Sequence, residues 1–221
     1  MGEINQYEFV KSRTEIFNGP FLEVGSRDYG STPNLRELFP EETYVGLDMS
    51  EGKSVDLVLD LTLPFDQIDN ALNAQRFNTI FCLSVLEHVD KPFVMAENLT
   101  RLLQSGGKIF ISAPFAWKFH GYPSDYWRFT HEGIKKLFPE LKFSEEYHSA
   151  SGPKKGDYRN LDETIGLLPM TGGGQKKAGY FLRSLSVRFL RLLSLLGIYR
   201  WLTQYRYLMQ PTMINMVGIK K

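Results

Sequence analysis

The chain of 221 residues holds one cysteine, Cys82, which excludes an intramolecular disulfide framework. Cys82 sits inside an apolar, strand-like run, so a small buried core residue in a reducing compartment is expected. Metal-binding spacings are also missing. The four histidines, His88, His120, His131 and His148, form no His-x-x-x-His pattern, and one cysteine cannot make Cys-x-x-Cys, so no metal is expected. The start, Met1-Gly2-Glu3-Ile4-Asn5-Gln6, has no apolar segment, and Gln6 stands where an acylation signal needs Ser or Thr; neither export nor acylation is expected. No internal repeat is visible. Acidic residues are absent from the last quarter: residues 164–221 carry nine Lys and Arg and no Asp or Glu, whereas residues 1–163 carry 17 basic and all 25 acidic residues. The net charge of +1 therefore conceals two electrostatically different parts.

A composition of 43% hydrophobic and 14% aromatic residues suffices for one substantial core with an elaboration. A lead-in helix is read over Tyr7–Phe17, stopped by Asn18-Gly19-Pro20. Short apolar runs at Phe21–Val24, Thr43–Leu47, Val55–Leu59, Asn78–Leu83 and Lys108–Ser112 read as strands. Between them lie a helix capped by Thr32 with Pro33 in its first turn and a helix over Pro92–Leu103; a Ser105-Gly106-Gly107 turn precedes the last of these strands. Parallel strands need crossover connections, so this alternation predicts a doubly wound α/β sheet. A helix started by Thr130 over Glu132–Phe138, a strand near Leu141–Tyr147 and a final strand over Thr212–Ile219 complete the core. Residues from Ser151 to about Met170 read as loop, Gly172-Gly173-Gly174 as a joint, and Tyr180–Leu208 as a helix.

Strand ends of such a sheet each offer one polar group to a ligand. Gly25 lets a ligand lie against the backbone after the first strand, and Gly30 is expected to open the next helix with N–H groups suited to a carboxylate. Asp48 closes the second strand at the spacing from which an acid reaches ribose hydroxyls; Asp60 ends the third, where a carboxylate can accept an exocyclic amine.

These segments together resemble the class I S-adenosylmethionine-dependent methyltransferases over roughly residues 18–147. The matching text is Glu23-Val24-Gly25-Ser26, Gly46-Leu47-Asp48, Asp60-Leu61-Thr62-Leu63-Pro64-Phe65, Ser84-Val85-Leu86-Glu87-His88-Val89 and Leu102-Leu103-Gln104-Ser105-Gly106-Gly107-Lys108. The resemblance implies a Rossmann-like sheet of seven strands, mostly parallel with the last antiparallel, and S-adenosyl-L-methionine as cofactor. It implies that Gly25 and Ser26 meet the methionine part, Glu23 supports that turn, Asp48 holds the ribose, Asp60 and Leu61 meet the adenine, and Ser84 faces the sulfonium. The family's second turn glycine is absent, since Gly25-Ser26-Arg27 replaces Gly-x-Gly. That departure also disfavours a nicotinamide-dependent oxidoreductase, whose pyrophosphate needs bare backbone there. A methyltransferase-like binding or scaffold module is the nonenzymatic alternative.

Methyl transfer is chiefly a matter of alignment, with a base useful for a hydroxyl acceptor; His88 and His120 are the candidates. The segment Pro114–Thr130 packs seven aromatics, His120 and an Asp/Arg pair into the loop after a parallel strand, where substrates bind. It resembles a His-Gly-Tyr-Pro-x-Asp-Tyr-Trp-Arg-Phe-Thr segment of methyltransferases often associated with cell-surface glycan synthesis. Tyr122, Asp125, Tyr126 and Arg128 are expected, with His120, to line the pocket of a small-molecule or glycan-type acceptor, methylated at oxygen. The predicted organisation is a cofactor-binding core over 1–150, a loop and basic amphipathic helical insertion over 151–210, and a returning strand over 211–221. Residues 176–208 are open to three readings: a lid, an oligomer contact, or a peripheral contact with an anionic membrane. A specific nucleic acid is not expected, the oligomeric state is unassigned, and a cytoplasmic location, extending to the inner membrane face, is expected.

Overall fold

The computed structural model describes residues 3–121, 123–160, 181–195, 197 and 212–221. Two compact units divide the chain, one of residues 1–158 with 211–221 and one of residues 159–210. The strands are β1 (Phe21–Val24), β2 (Tyr44–Asp48), β3 (Leu57–Val58), β4 (Phe77–Leu83), β5 (Leu103–Ala116), β6 (Leu141–Phe143), β7 (Ser149–Ser151), β8 (Tyr158–Asn160) and β9 (Thr212–Lys220), all but the last two residues of β8 in the first unit. Their order is β3-β2-β1-β4-β5-β9-β7-β8, with β6 also paired to β9. β1 lies parallel between β2 and β4, Phe21 standing opposite both Tyr44 and Thr79. β9 runs antiparallel to β5, and β6 and β7 pair with successive stretches of its other edge. The fold is the expected doubly wound, mostly parallel sheet with an antiparallel last strand, its seven expected strands extended by β7 and β8.

Sheet residues alternate sides, so both faces of β4 must be covered if it is central. All of Ile80, Phe81 and Cys82 are fully buried, as a doubly covered strand requires. Burial pushes the Cys82 thiol well above its ordinary range, making it an inert core residue. On one side Phe21, Phe81, Leu83, Phe110 and Val217 pack with Phe9 and Val10 of helix α1 (Ile4–Lys11) and with Phe17. Phe9 stacks on Phe110 with ring centroids 4.6 Å apart. Each such ring contributes about 1.5–3 kcal/mol on leaving water. Helix α3 (Pro92–Leu102) buries Met95, Ala96, Leu99 and Leu102, one helical stripe.

Local chemistry moves several predicted boundaries. α1 begins at Ile4 rather than Tyr7, because the Glu3 N–H donates to Gln6 Oε1 at 2.5 Å and closes the first turn early; only a short 3-10 turn at Thr14–Ile16 follows it. The helix expected after Thr32 is a 3-10 turn at Leu35–Leu38, capped by Asn34, whose side chain accepts the Arg36 N–H at 3.0 Å. The Gly106-Gly107 turn is an irregularity inside β5, where pairing with β4 jumps from Phe77–Leu103 to Thr79–Lys108. Helix α2 (Phe65–Ala71) was not foreseen. Helix α4 (His131–Leu137) starts as expected, with Thr130 Oγ1 accepting the Gly133 N–H at 2.9 Å. In the second unit, helix α5 (Phe181–Leu195) covers the described part of the predicted basic helix.

Candidate active site

Strands β1, β2, β3 and β4 end on the same side, and their termini carry the predicted cofactor residues. Gly25 follows β1 with φ +71°, the left-handed region that favours glycine. A Cβ there would lie 2.6 Å from Val85 Cγ2, so the bare backbone is what lets the two segments approach. Asp48 leans onto this turn: Oδ2 accepts the Arg27 N–H at 3.4 Å and Oδ1 the Ser50 N–H at 3.0 Å. Gly25 and Asp48 thus flank the same turn. Ser26 is buried with its Oγ close to Gly46, so its side chain faces β2. Glu23 is buried and accepts the Tyr44 hydroxyl at 2.7 Å; burial pushes its carboxyl up to about 7.

Asp60 Oδ1 accepts both the N–H and the hydroxyl of Thr62 at 2.8 Å, which shapes the turn after β3. Leu61 is buried beside it, its carbonyl accepting from Asn98 Nδ2 at 2.9 Å. Gly30 needs correction. It has φ +73°, but its N–H donates to Asp28 Oδ1 at 2.7 Å and no helix starts there, so it is no helix-terminal anion donor. Ser84 follows β4 at φ +56°, an uncommon backbone region for a residue other than glycine. Its Oγ lies 3.2 Å from Gln6 Nε2, which also donates to Ser112 Oγ at 2.6 Å. Glu3, Gln6 and Tyr7 of the N-terminal segment line a small hollow with Thr32, Pro33, Leu35 and Leu83.

Beyond Ser84 the chain turns through Leu86–His88, bringing Glu87, His88 and His120 together. Glu87 is buried, among the described residues no other residue hydrogen-bonds its carboxylate, and burial raises its carboxyl to about 8. His88 Nδ1 lies 2.5 Å from the Ser124 carbonyl, and burial lowers its basicity. The His88 and His120 rings meet edge to face at 4.9 Å. Asp125 braces the loop: it receives the His120 N–H at 2.9 Å and Arg128 Nη2 at 2.8 Å, and Arg128 holds its carboxyl down at about 2. Arg128 also reaches the carbonyls of Trp117 and Lys118. Tyr126 is exposed, its N–H donating to the Glu87 carbonyl at 2.7 Å. Tyr122 lies outside the described residues. The histidines expected to act in catalysis are therefore neighbours, whereas Asp125 and Arg128 mainly hold each other and the loop. In sequence Glu87 is visible only as an acid beside a histidine at a strand end, with nothing to mark its burial.

A family model described as a methyltransferase domain matches residues 3–150. The chain belongs to the methyltransferase-domain family. This methyltransferase is 48% identical to a ubiquinone biosynthesis O-methyltransferase of Coxiella burnetii over 40 residues, only 18% of this chain and 17% of that protein. Among solved structures, it resembles 1,6-didemethyltoxoflavin-N1-methyltransferase of Burkholderia thailandensis, determined with bound S-adenosylhomocysteine, with a TM-score of 0.53 and 10% identity over 99% of this chain and 78% of that one. A SAM-dependent methyltransferase of Anabaena variabilis gives 0.54 and 12% over 99% and 84%. The [4+2]-cyclase SpnF also gives 0.54 and 12%, over 97% and 80%. At such identities the likeness extends to the fold, and a cyclase among the neighbours shows that the fold alone does not define the reaction.

Proposed function

We propose that this methyltransferase moves a methyl group to the hydroxyl of a small-molecule or glycan-type acceptor seated beside His88 and His120. The cofactor residues fit the group they are asked to hold: a Cβ would fill the cradle at Gly25, and Asp48 borders it. Gly25 and Ser26 would hold the methionine part, Asp48 the ribose, and Asp60 with Leu61 the adenine. S-adenosylmethionine, when bound, supplies a methyl on a positively charged sulfur that departs with the carbon–sulfur electron pair. The chain's own contribution is alignment and proton handling. Carbonyls can only accept, so the Ser124 and Lys118 oxygens near the two Nδ1 atoms require Nδ1–H and leave each Nε2 as the basic atom. A hydroxyl between them gives up its proton to an imidazole as its oxygen bonds the methyl carbon.

The observation that carries this reading is the convergence of His88 and His120, far apart in sequence, just beyond the end of β4. Incubation with methyl-labelled cofactor and hydroxyl-bearing acceptors tests it. The label is expected on oxygen, with His88→Ala and His120→Ala each lowering kcat about 10²–10⁴-fold and leaving cofactor affinity intact. Label on nitrogen, or unchanged turnover in both variants, would refute it.

The second unit has its own role in this proposal: α5 docks on anionic lipid headgroups. Phe181, Leu182, Leu185, Phe189 and Leu192 are exposed, Arg188 is exposed among them, and no acidic residue lies in 164–221. Among the described residues no helix is long and apolar enough to cross a membrane.

A further inference from the structure

Glu87, His88 and His120 each present one ligand atom, and the three atoms lie within 4.8 Å of one another. We infer that these side chains hold a first-row divalent cation at the acceptor end of the site, an inference that rests on the assignment of that end to the acceptor. Three independent features support it. The Glu87 carboxylate is buried, and among the described residues no other residue hydrogen-bonds either oxygen, its own backbone N–H and His88 Nε2 at 3.9 Å being what lies close; a buried acid left so is costly unless a proton or a cation compensates it. His88 turns Nε2 toward Glu87 Oε1, 3.9 Å away, and both imidazoles have Nδ1 engaged elsewhere. His88 Nδ1 meets the Ser124 carbonyl at 2.5 Å, and His120 Nδ1 lies 3.2 Å from the Lys118 carbonyl and 3.3 Å from Asp125 Oδ2. An imidazole that donates Nδ1–H to a carbonyl or carboxylate offers Nε2 to a metal, the arrangement that surrounds most histidine ligands.

The distances are also nearly right. Atoms bound at about 2.1 Å to one ion stand no more than about 4.2 Å apart, so a closure of under about 1 Å completes the set. Two imidazole nitrogens with one carboxylate suit Zn²⁺, Co²⁺, Fe²⁺ or Mn²⁺, whereas Mg²⁺ and Ca²⁺ prefer oxygen ligands throughout. Three protein ligands leave a position for the acceptor oxygen, and the partial exposure of His88 and His120 leaves a way in. With the cation in place the histidine Nε2 atoms are ligands, so the acceptor and methyl donor of the proposed reaction stay the same and activation by the cation replaces the imidazole base. A cation-bound hydroxyl loses its proton to bulk water more readily, its oxygen pair forms the bond to the methyl carbon, and the metal keeps its oxidation state. The histidine spacing in sequence gave no sign of this site, because the loop after β5 supplies the third ligand.

The full chain, stripped with chelator and titrated with Co²⁺, tests the inference through calorimetry and the visible absorption of the bound ion. One equivalent per chain is expected, with Glu87→Gln and His120→Ala each weakening binding by at least about tenfold while binding S-adenosylhomocysteine as the parent chain does. No saturable Co²⁺ binding, or both variants binding Co²⁺ as the parent does, would overturn it. Saturable Co²⁺ binding in a chain that methylates no hydroxyl would support the cation site while counting against the acceptor assignment.

Discussion

Glu23 occupies the middle of β1, where an ionised carboxylate is poorly tolerated, and its one strong partner is the Tyr44 hydroxyl. With its carboxyl near 7 in the fold against 4.5 ordinarily, the unfolded chain ionises first as pH rises. Below about 4.5 the group costs nothing; the penalty grows between those values and is complete above about 7, where it amounts to about 3 kcal/mol. Glu23→Gln removes the titration and keeps an acceptor for Tyr44. The difference in denaturant midpoint between variant and parent is therefore expected to move in the variant's favour from pH 5 to pH 8. Parallel curves would show that Glu23 does not titrate in this range. Such side-chain environments were only partly legible in the sequence. Thr130 was correctly assigned as a cap because capping is decided within four residues, but at the turn after β1 Asn34 caps the short helix and Thr32 does not. Glu87 was read as part of a motif, since nothing local to it reveals that its carboxylate is buried.

α1 is the element that most changes the site from what its sequence suggested. Phe9 and Val10 seat it on the sheet, and Gln6 reaches across to Ser84 and Ser112. Ser112 Oγ donates on to Asn215 Oδ1 at 2.7 Å, and Asn215 Nδ2 to Ser151 Oγ at 2.9 Å, so one polar chain ties α1, β5, β9 and β7 together. Gln6→Ala breaks this chain at its end and leaves the buried Ser112 hydroxyl without its donor, at a cost of about 1–3 kcal/mol. Since Gln6 also lines the hollow beside Ser84, S-adenosylhomocysteine is expected to dissociate several-fold faster from the variant in stopped-flow measurements. An unchanged off-rate with lowered stability would confine Gln6 to a structural role. The helix α3 was readable in the sequence, whereas α2, which buries only Phe65 and Ile68 within its seven residues, gives too short a stripe to stand out.

For the whole molecule, alternation of apolar strands and helices was enough to predict the doubly wound sheet, and the antiparallel β9 arrived where expected. What sequence order could not convey was juxtaposition, which places His120 beside Glu87 and His88. The charge division is equally a property of the whole chain. Sedimentation with anionic vesicles is expected to carry the protein down at low salt and to release it as salt rises, because headgroup attraction is screened while leucine insertion is not. Failure to sediment at low salt would remove the membrane role from residues 176–208.

All of the chemistry depends on the β1 turn and the β2 acid gripping one cofactor, and calorimetric titration of S-adenosylhomocysteine into the parent chain and into Asp48→Ala measures this most directly. The account predicts one site per chain, weakened at least about tenfold by the substitution, as expected for loss of a charged hydrogen-bonding partner worth about 1.5–3 kcal/mol. Equal affinity in both proteins, or no binding by the parent chain, would contradict it.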